Sequence, residues 1–292
     1  AVRIRPPRPS CGPLGIQGAI LGFKGDGFLS DRFLIAIAGP TASAKTTVGI
    51  EVARAVGGEV LSVDSRQMFR HMDIGTAKPT ASEQARVPHH FIDVRQPDQE
   101  FSAGAFGRAA RACIEQLISS RIVPVLVGGS GLYMRAILDG LFDEPAGSGV
   151  LRSELQRRLQ SEGLPALRSE LEKIDPAACT RIAPKDAQRV LRALEVALIA
   201  GQSLTDLQQD RTGLSPGITP MMFGIDLERD RLYQRIDQRV DLMIQRGLRD
   251  EVLDLLNRGY TRETKSMGTM GYREVLDAIE GRCSMDAAVE LV

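Results

Sequence analysis

The segment FLIAIAGPTASAKTTVGIEVARAV, residues 33 to 56, restricts this chain more than any other. Its first six residues are apolar without a break, as a strand buried on both faces requires. Small and polar residues follow. Then comes an amphipathic run with Val48, Val52 and Val56 at helical spacing, closed by Gly57 and Gly58. The loop between strand and helix is Gly39, Pro40, Thr41, Ala42, Ser43, Ala44, Lys45 and Thr46. It follows the phosphate-binding pattern G-x-x-x-x-G-K-[ST], except that Ala44 stands where the second glycine belongs. Backbone amides of such a loop converge on phosphate oxygens, and the helix N-terminus adds partial positive charge. Lys45 supplies a full charge, and the Thr46 hydroxyl is the expected Mg²⁺ ligand. A Cβ at position 44 clashes or strains if the backbone there needs positive φ.

The alternation continues. EVLSVDS and the shorter HFIDV read as strands, AGAFGRAARACIEQLISSR as a helix and IVPVLVGG as another buried strand. This predicts an α/β fold with a P-loop NTPase-like parallel sheet and right-handed crossovers. From Val150 to about Gly213 no strand-like run occurs. Leucines recur at helical spacing instead, at Leu151, Leu155 and Leu159 and again at Leu164, Leu167 and Leu171, before AQRVLRALEVALIAG. The reading is a helical insertion over residues 143–213 that interrupts a core of residues 33–142 and 214–292. TPMMFGIDL returns to a strand. A long amphipathic helical region then carries Leu232, Ile236, Val240, Met243 and Ile244 on one side. Residues 1–32, rich in proline, glycine and basic residues, read as a disordered extension.

Lysine plus arginine and aspartate plus glutamate both total 37, so a globally basic nucleic-acid binder is not indicated, although local basic patches remain open. Cys11, Cys113, Cys179 and Cys283 lie far apart without a CxxC pair, which suits bystander thiols in a reducing cytoplasm. No apolar run reaches the roughly 18 residues that span a membrane.

Outside the loop, chemistry concentrates in SVDSRQMFRHMDIGTAKP, residues 62 to 79. Asp64 falls at the carboxyl end of the second strand, where open α/β sheets bind ligands. There it serves as a general base, as a metal ligand or as the cap of a turn. Arg66, Arg70, His71 and Lys78 outnumber the acids around them, which suits either contact with a polyanion or a solvated loop. Arg181, Lys185, Arg189 and Arg192, with Asp186 as the single acid among them, form either an RNA-facing stripe or a plain charged helix face. His89 and His90 point to opposite faces of a strand and read as structural.

GPTASAKT, SVDSRQMFRHMDIGTAKP, LVGGSGLYMRAILDGL, PKDAQRVLRALEV and MGYREV occur in this order. Together they resemble the tRNA dimethylallyltransferase family, also called tRNA isopentenyltransferases, over about residues 33 to 280. The resemblance implies transfer of a dimethylallyl group from its pyrophosphate to N6 of the adenosine next to the anticodon of tRNA. The loop then holds the pyrophosphate of the prenyl donor, with Mg²⁺, rather than the γ-phosphate of ATP. Asp64 matches the family's general base. Ser130 stands where threonine is frequent, and Arg235 matches an arginine that reaches the pyrophosphate; read without the resemblance, it is a helix-surface residue. For tRNA the resemblance points to Asp64, Ser65, Arg66, Gln67, Ser130 and Arg152. It also points to Gln188, Arg189, Val190, Leu191 and Arg192, and to Gly268, Thr269, Met270, Gly271, Tyr272 and Arg273. It implies a monomer away from membranes. Departures are Ala44, Phe69 in place of tyrosine, and an end at Val292 before the family's basic C-terminal segment. Two other readings stay open: a small-molecule kinase using ATP, and a non-catalytic RNA-binding relative.

Overall fold

The computed structural model describes residues 3–5, 32–141, 149–209 and 212–292. Cys11, most of the expected N-terminal extension and the start of the expected insertion lie outside these described residues. Six strands form one sheet: β1 (Arg3–Arg5), β2 (Phe33–Ala38), β3 (Gly58–Ser62), β4 (His89–His90), β5 (Val123–Gly128) and β6 (Thr219–Asp226). Their spatial order is β1-β6-β2-β5-β3-β4. The five strands from β2 to β6 run parallel, and β1 pairs antiparallel on the outer edge of β6. β2 lies inside the sheet, with Ile35 in register with Val125 on one side and Met221 on the other. That position is why β2 is uninterruptedly apolar.

Helix α1 (Lys45–Val56) packs Ile50 and Ala53 against Ile35, Ile37, Val125 and Val127. Gly49 permits the close approach, since a Cβ there would collide with the Val127 side chain. The strand expected over HFIDV is corrected to His89–His90 alone. Phe91 and Asp93 take positive φ, 65° and 54°, which ends the ladder. Asp93 is turned to accept from Lys78 Nζ at 2.6 Å.

The chain divides into two compact units. The first comprises Ala1–Ser102, Ala109–Met134 and Pro216–Val292, and the second Ala103–Arg108 and Arg135–Ser215. Helix α2 (Ala103–Ser119) and helix α3 (Gly131–Leu138) each contribute to both. In the second unit a Cβ at Gly107 would sit 2.5 Å from the Ala136 carbonyl oxygen, so the first turns of α2 pack where no larger residue fits. Its further described helices include α4 (Gly149–Glu162), α5 (Leu164–Ile174), α6 (Pro176–Arg181) and α7 (Ala187–Ala200). Leu155, Leu167, Leu171, Val190 and Leu194 close its core. Its inner polar anchor is Asp175, which accepts from the amides of Ala178 and Thr205, each at 2.8 Å, and from the Thr205 hydroxyl at 2.7 Å.

In the first unit, the long helical region expected after β6 is two helices, α8 (Arg229–Gln245) and α9 (Leu248–Asn257), parted at Gly247 with φ +91°. With α10 (Tyr272–Ile279) they build a second core of Met243, Leu248, Val252, Leu255, Tyr272 and Leu276 around Met72. Glu251 is its polar centre. Its carboxylate accepts from the amides of Asp73 (2.9 Å), Ile74 (2.8 Å) and Gly75 (3.1 Å) and from the Tyr272 hydroxyl (2.6 Å). Glu251→Ala strands four donors and is expected to cost about 3 kcal/mol in chemical denaturation. Asp254→Ala, which removes only an exposed pair with Arg258 on the same helix, is expected to stay within about 0.5 kcal/mol. Equal effects of the two changes would refute the anchoring role.

Candidate active site

The carboxyl ends of β2, β3 and β5 meet at one edge of the sheet. The loop after β2 turns into α1 through Ala44, which has φ +67° and ψ 26°. Its carbonyl accepts the first helical hydrogen bond, from Val48 N at 3.1 Å. Ala42 is also left-handed, at φ +60°. The loop thus keeps a glycine-type path with alanines in it, at a cost of roughly 1–2 kcal/mol per residue. The concern raised by Ala44 resolves as strain carried in the backbone. Inside the loop the Ser43 hydroxyl is fully buried and has no hydrogen-bond partner among the described residues.

After β3 the chain makes a tight turn around Asp64. Its Oδ1 accepts from the amides of Arg66 (2.9 Å) and Gln67 (3.4 Å). The other carboxylate oxygen has no hydrogen bond among the described residues. Asp64 is therefore the cap of this turn through one oxygen alone. Ser130, following β5, accepts from Ser65 N at 3.3 Å and so lies beside this turn. Gln67 is held internally: its Oε1 accepts from Ser62 Oγ at 2.9 Å and its Nε2 donates to the Ala77 carbonyl at 3.2 Å.

These elements enclose a cleft of about 690 Å³. It unites the loop from Gly39 to Thr46 with Asp64, Ser65, Arg66, Gln67, Ser130 and Arg235. It also contains Gln238, Arg239 and Leu242, which the sequence reading passed over. Their signal was present: with Arg235 they repeat at helical spacing along one face of α8. Lys45, Arg66, Arg235 and Arg239 face the single carboxylate of Asp64. Burial draws the Lys45 ammonium down to about 8; Asp64 pulls upward and Arg239 pushes further down. Burial likewise lowers Arg239, with Arg66 adding to the effect and Asp64 opposing it. This crowding of cations is relieved by a polyanion.

Other expected residues sit elsewhere. Arg66 Nη1 donates to the Met270 carbonyl at 3.3 Å, joining the segment Gly268–Arg273 to the Asp64 turn. Met270 is exposed, and Arg273 pairs with the buried Glu274. Tyr272 is corrected to a core residue: it is fully buried, and burial together with Glu251 raises its phenol above the usual range. In the helical unit Val190 is likewise a core residue, Leu191 packs against that core, and Gln188 and Arg189 are exposed. Arg152 and Arg192 share the buried Glu195, donating at 3.2 and 2.8 Å. Burial opposes ionisation of Glu195, but these two hydrogen bonds outweigh it and hold its carboxyl below the usual range. Lys78 is not a surface cation for RNA; it is buried, bonded to the Phe69 carbonyl, Asp73 and Asp93. His89 bonds the Val87 carbonyl and His90 bonds Glu59. Among the described residues no cluster of three His, Cys, Asp or Glu could hold a metal, and no helix is long and apolar enough to cross a membrane.

Fold and cleft define an α/β protein with a P-loop NTPase-like core and a cleft lined by four cations and one carboxylate. A family model described as IPP transferase matches residues 67–292. The tRNA dimethylallyltransferase 1 of Syntrophotalea carbinolica is 43% identical over 259 residues, 89% of this chain and 82% of that protein. The tRNA dimethylallyltransferase of Thermotoga maritima is 43% identical over 258 residues, 88% of this chain and 83% of its own length. The crystal structure of the full-length tRNA isopentenylpyrophosphate transferase of Bacillus halodurans superposes with a TM-score of 0.60 at 38% identity, over 89% of this chain and 81% of that one. A eukaryotic dimethylallyltransferase acting on tRNA gives a TM-score of 0.71 over 89% of this chain and 65% of its own. At 23% identity, that likeness speaks to the fold. The chain belongs to the IPP transferase family and is a prenyltransferase.

Two outcomes follow from the loop. Ala44→Gly releases backbone strain but adds freedom to the unfolded chain, so a net gain of about 0.5–1 kcal/mol is expected in denaturation. A loss would mean that the alanine Cβ makes a compensating contact. Lys45 is charged below about 8, so its attraction for an anion is whole at lower pH and fades as pH rises through that value. Pyrophosphate affinity, measured by calorimetry from pH 6.5 to 9.5, should fall about tenfold relative to Lys45→Arg, whose guanidinium does not titrate. Parallel curves for the two proteins would exclude Lys45 from anion binding.

Proposed function

We propose that this chain transfers the dimethylallyl group of dimethylallyl pyrophosphate to N6 of the adenosine adjacent to the anticodon of tRNA. The observation that carries this reading is the single cleft shared by Lys45, Arg235, Ser130 and Asp64, rich in cations and with one half-free carboxylate. The relatives named tRNA dimethylallyltransferase support the choice of donor and acceptor.

The donor's pyrophosphate lies on the loop amides with Lys45, Arg235 and Arg239. As the amine nitrogen bonds to the allylic carbon, the carbon–oxygen bond breaks and negative charge grows on the leaving pyrophosphate, where these groups stabilise it. The attacking amine sheds a proton to the unshared oxygen of Asp64, whose other oxygen keeps the turn closed. Ser130 holds the Ser65 amide and so steadies that turn. The adenine must leave its stack to enter the cleft. Thr46, which lines the cleft, would hold a magnesium ion through its hydroxyl, in keeping with the metal's preference for oxygen ligands. When bound, it neutralises charge on the leaving group.

The test combines the purified chain with Mg²⁺, the donor and tRNA carrying adenosine after the anticodon, followed by digestion and mass spectrometry. Isopentenyl-adenosine is the expected product. Asp64→Asn preserves the Oδ1 cap and is expected to reduce kcat about 10³-fold while binding of tRNA and pyrophosphate is unchanged. Absence of product from the wild type, with both ligands bound, would support a non-catalytic RNA-binding relative instead.

A further inference from the structure

Helix α8 offers the cleft four side chains along one face, Arg235, Gln238, Arg239 and Leu242. At 1.5 Å rise per residue, Leu242 stands about 4.5 Å further along the axis than Arg239. The two arginines suit a diphosphate, but Leu242 has nothing to offer an anion. It is the one large aliphatic side chain among the cleft's lining, and it is 48% exposed. Single exposed leucines are common on helices and need no explanation. Leu242 differs because it is also a wall. A second cavity of about 520 Å³ lies behind it, and Ala77, Arg239 and Leu242 line both spaces. The far cavity is partly apolar, with Ile74, Pro79 and Met243.

We infer that Leu242 closes the apolar end of the donor site and sets the length of the prenyl chain that the site accepts. A five-carbon group ends against the leucine, whereas a ten-carbon group has to pass it to reach the cavity behind. Ala77 beside it is too small to form that barrier. Arg239 next to it keeps the diphosphate on the loop side, so the chain points tail first toward Leu242 and stops there. This inference rests on the prenyl-transfer reading given above.

The experiment uses the full chain with Mg²⁺ and unreactive S-thiolodiphosphate analogues of the dimethylallyl and geranyl donors, titrated by calorimetry, with inorganic pyrophosphate as reference. The wild type is expected to prefer the shorter analogue by at least about tenfold. Leu242→Ala should reduce that preference about tenfold, with Leu242→Met retaining most of it, while pyrophosphate binds all three proteins equally. Equal preference in wild type and Leu242→Ala, with pyrophosphate binding intact, overturns the inference. Because this readout needs no turnover, it separates from the transfer assay. A responsive binding ratio without product on tRNA upholds the chain-length wall and removes the transferase reading. Failure of the wild type to bind pyrophosphate removes both.

Discussion

Glu251 ties the segment that follows β3 to the C-terminal helices. Three consecutive backbone amides, 73 to 75, and the Tyr272 hydroxyl converge on its carboxylate. Such a turn would otherwise bury unpaired donors, which is expensive in a packed core. The arrangement leaves no room for variation nearby. A Cβ at Gly75 would come within 2.5 Å of the Tyr272 ring. Lys78 grips the same segment from its other end through Phe69, Asp73 and Asp93. Gln67 then joins it to β3 by way of Ser62 and Ala77. Through Gln67, whose amide is also held by Asp64 Oδ1, this bonded scaffold reaches the turn at the cleft.

The cleft has the opposite character. Its cations outnumber its one carboxylate, and burial lowers the proton affinity of Lys45 and Arg239. The loop also holds alanines in left-handed backbone and a buried hydroxyl without a partner among the described residues. Each of these is a local cost that a bound polyanion offsets, since amides and cations aimed at one point gain most from a ligand of high charge density. Strain and excess positive charge gather at the cleft, while the supporting segment behind is hydrogen-bonded through Glu251, Lys78 and Gln67.

The helical unit uses a similar economy for a different end. Glu195 is a buried carboxylate shared by Arg152 and Arg192. A buried ion pair is weak evidence for stability. Its effect is to hold the guanidinium groups of two long side chains, one from α4 and one from α7, on a single carboxylate oxygen.

Residues 33 to 58 were legible from sequence alone. A doubly buried strand, a phosphate loop and an amphipathic helix each leave a signal within a few residues. The helical unit was legible for the same reason, from leucines at a regular spacing. Asp64, Ser130 and Arg235 were reached through the order of motifs, and the fold brings all three into one cleft. The sequence could not show that Tyr272, Val190 and Lys78 are enclosed, that HFIDV is only briefly a strand, or that Glu251 is an anchor. Arg66 meets Met270 across 204 positions, and Asp73 meets Glu251 across 178. Local pattern determined which segments are strands, loops and helices, because periodicity and turn chemistry act between neighbours. Which oxygen of Asp64 is free, which face of α8 lines the cleft and what lies behind Leu242 were decided by the tertiary structure. Those depend on which distant segments are packed together, and only the folded chain specifies that.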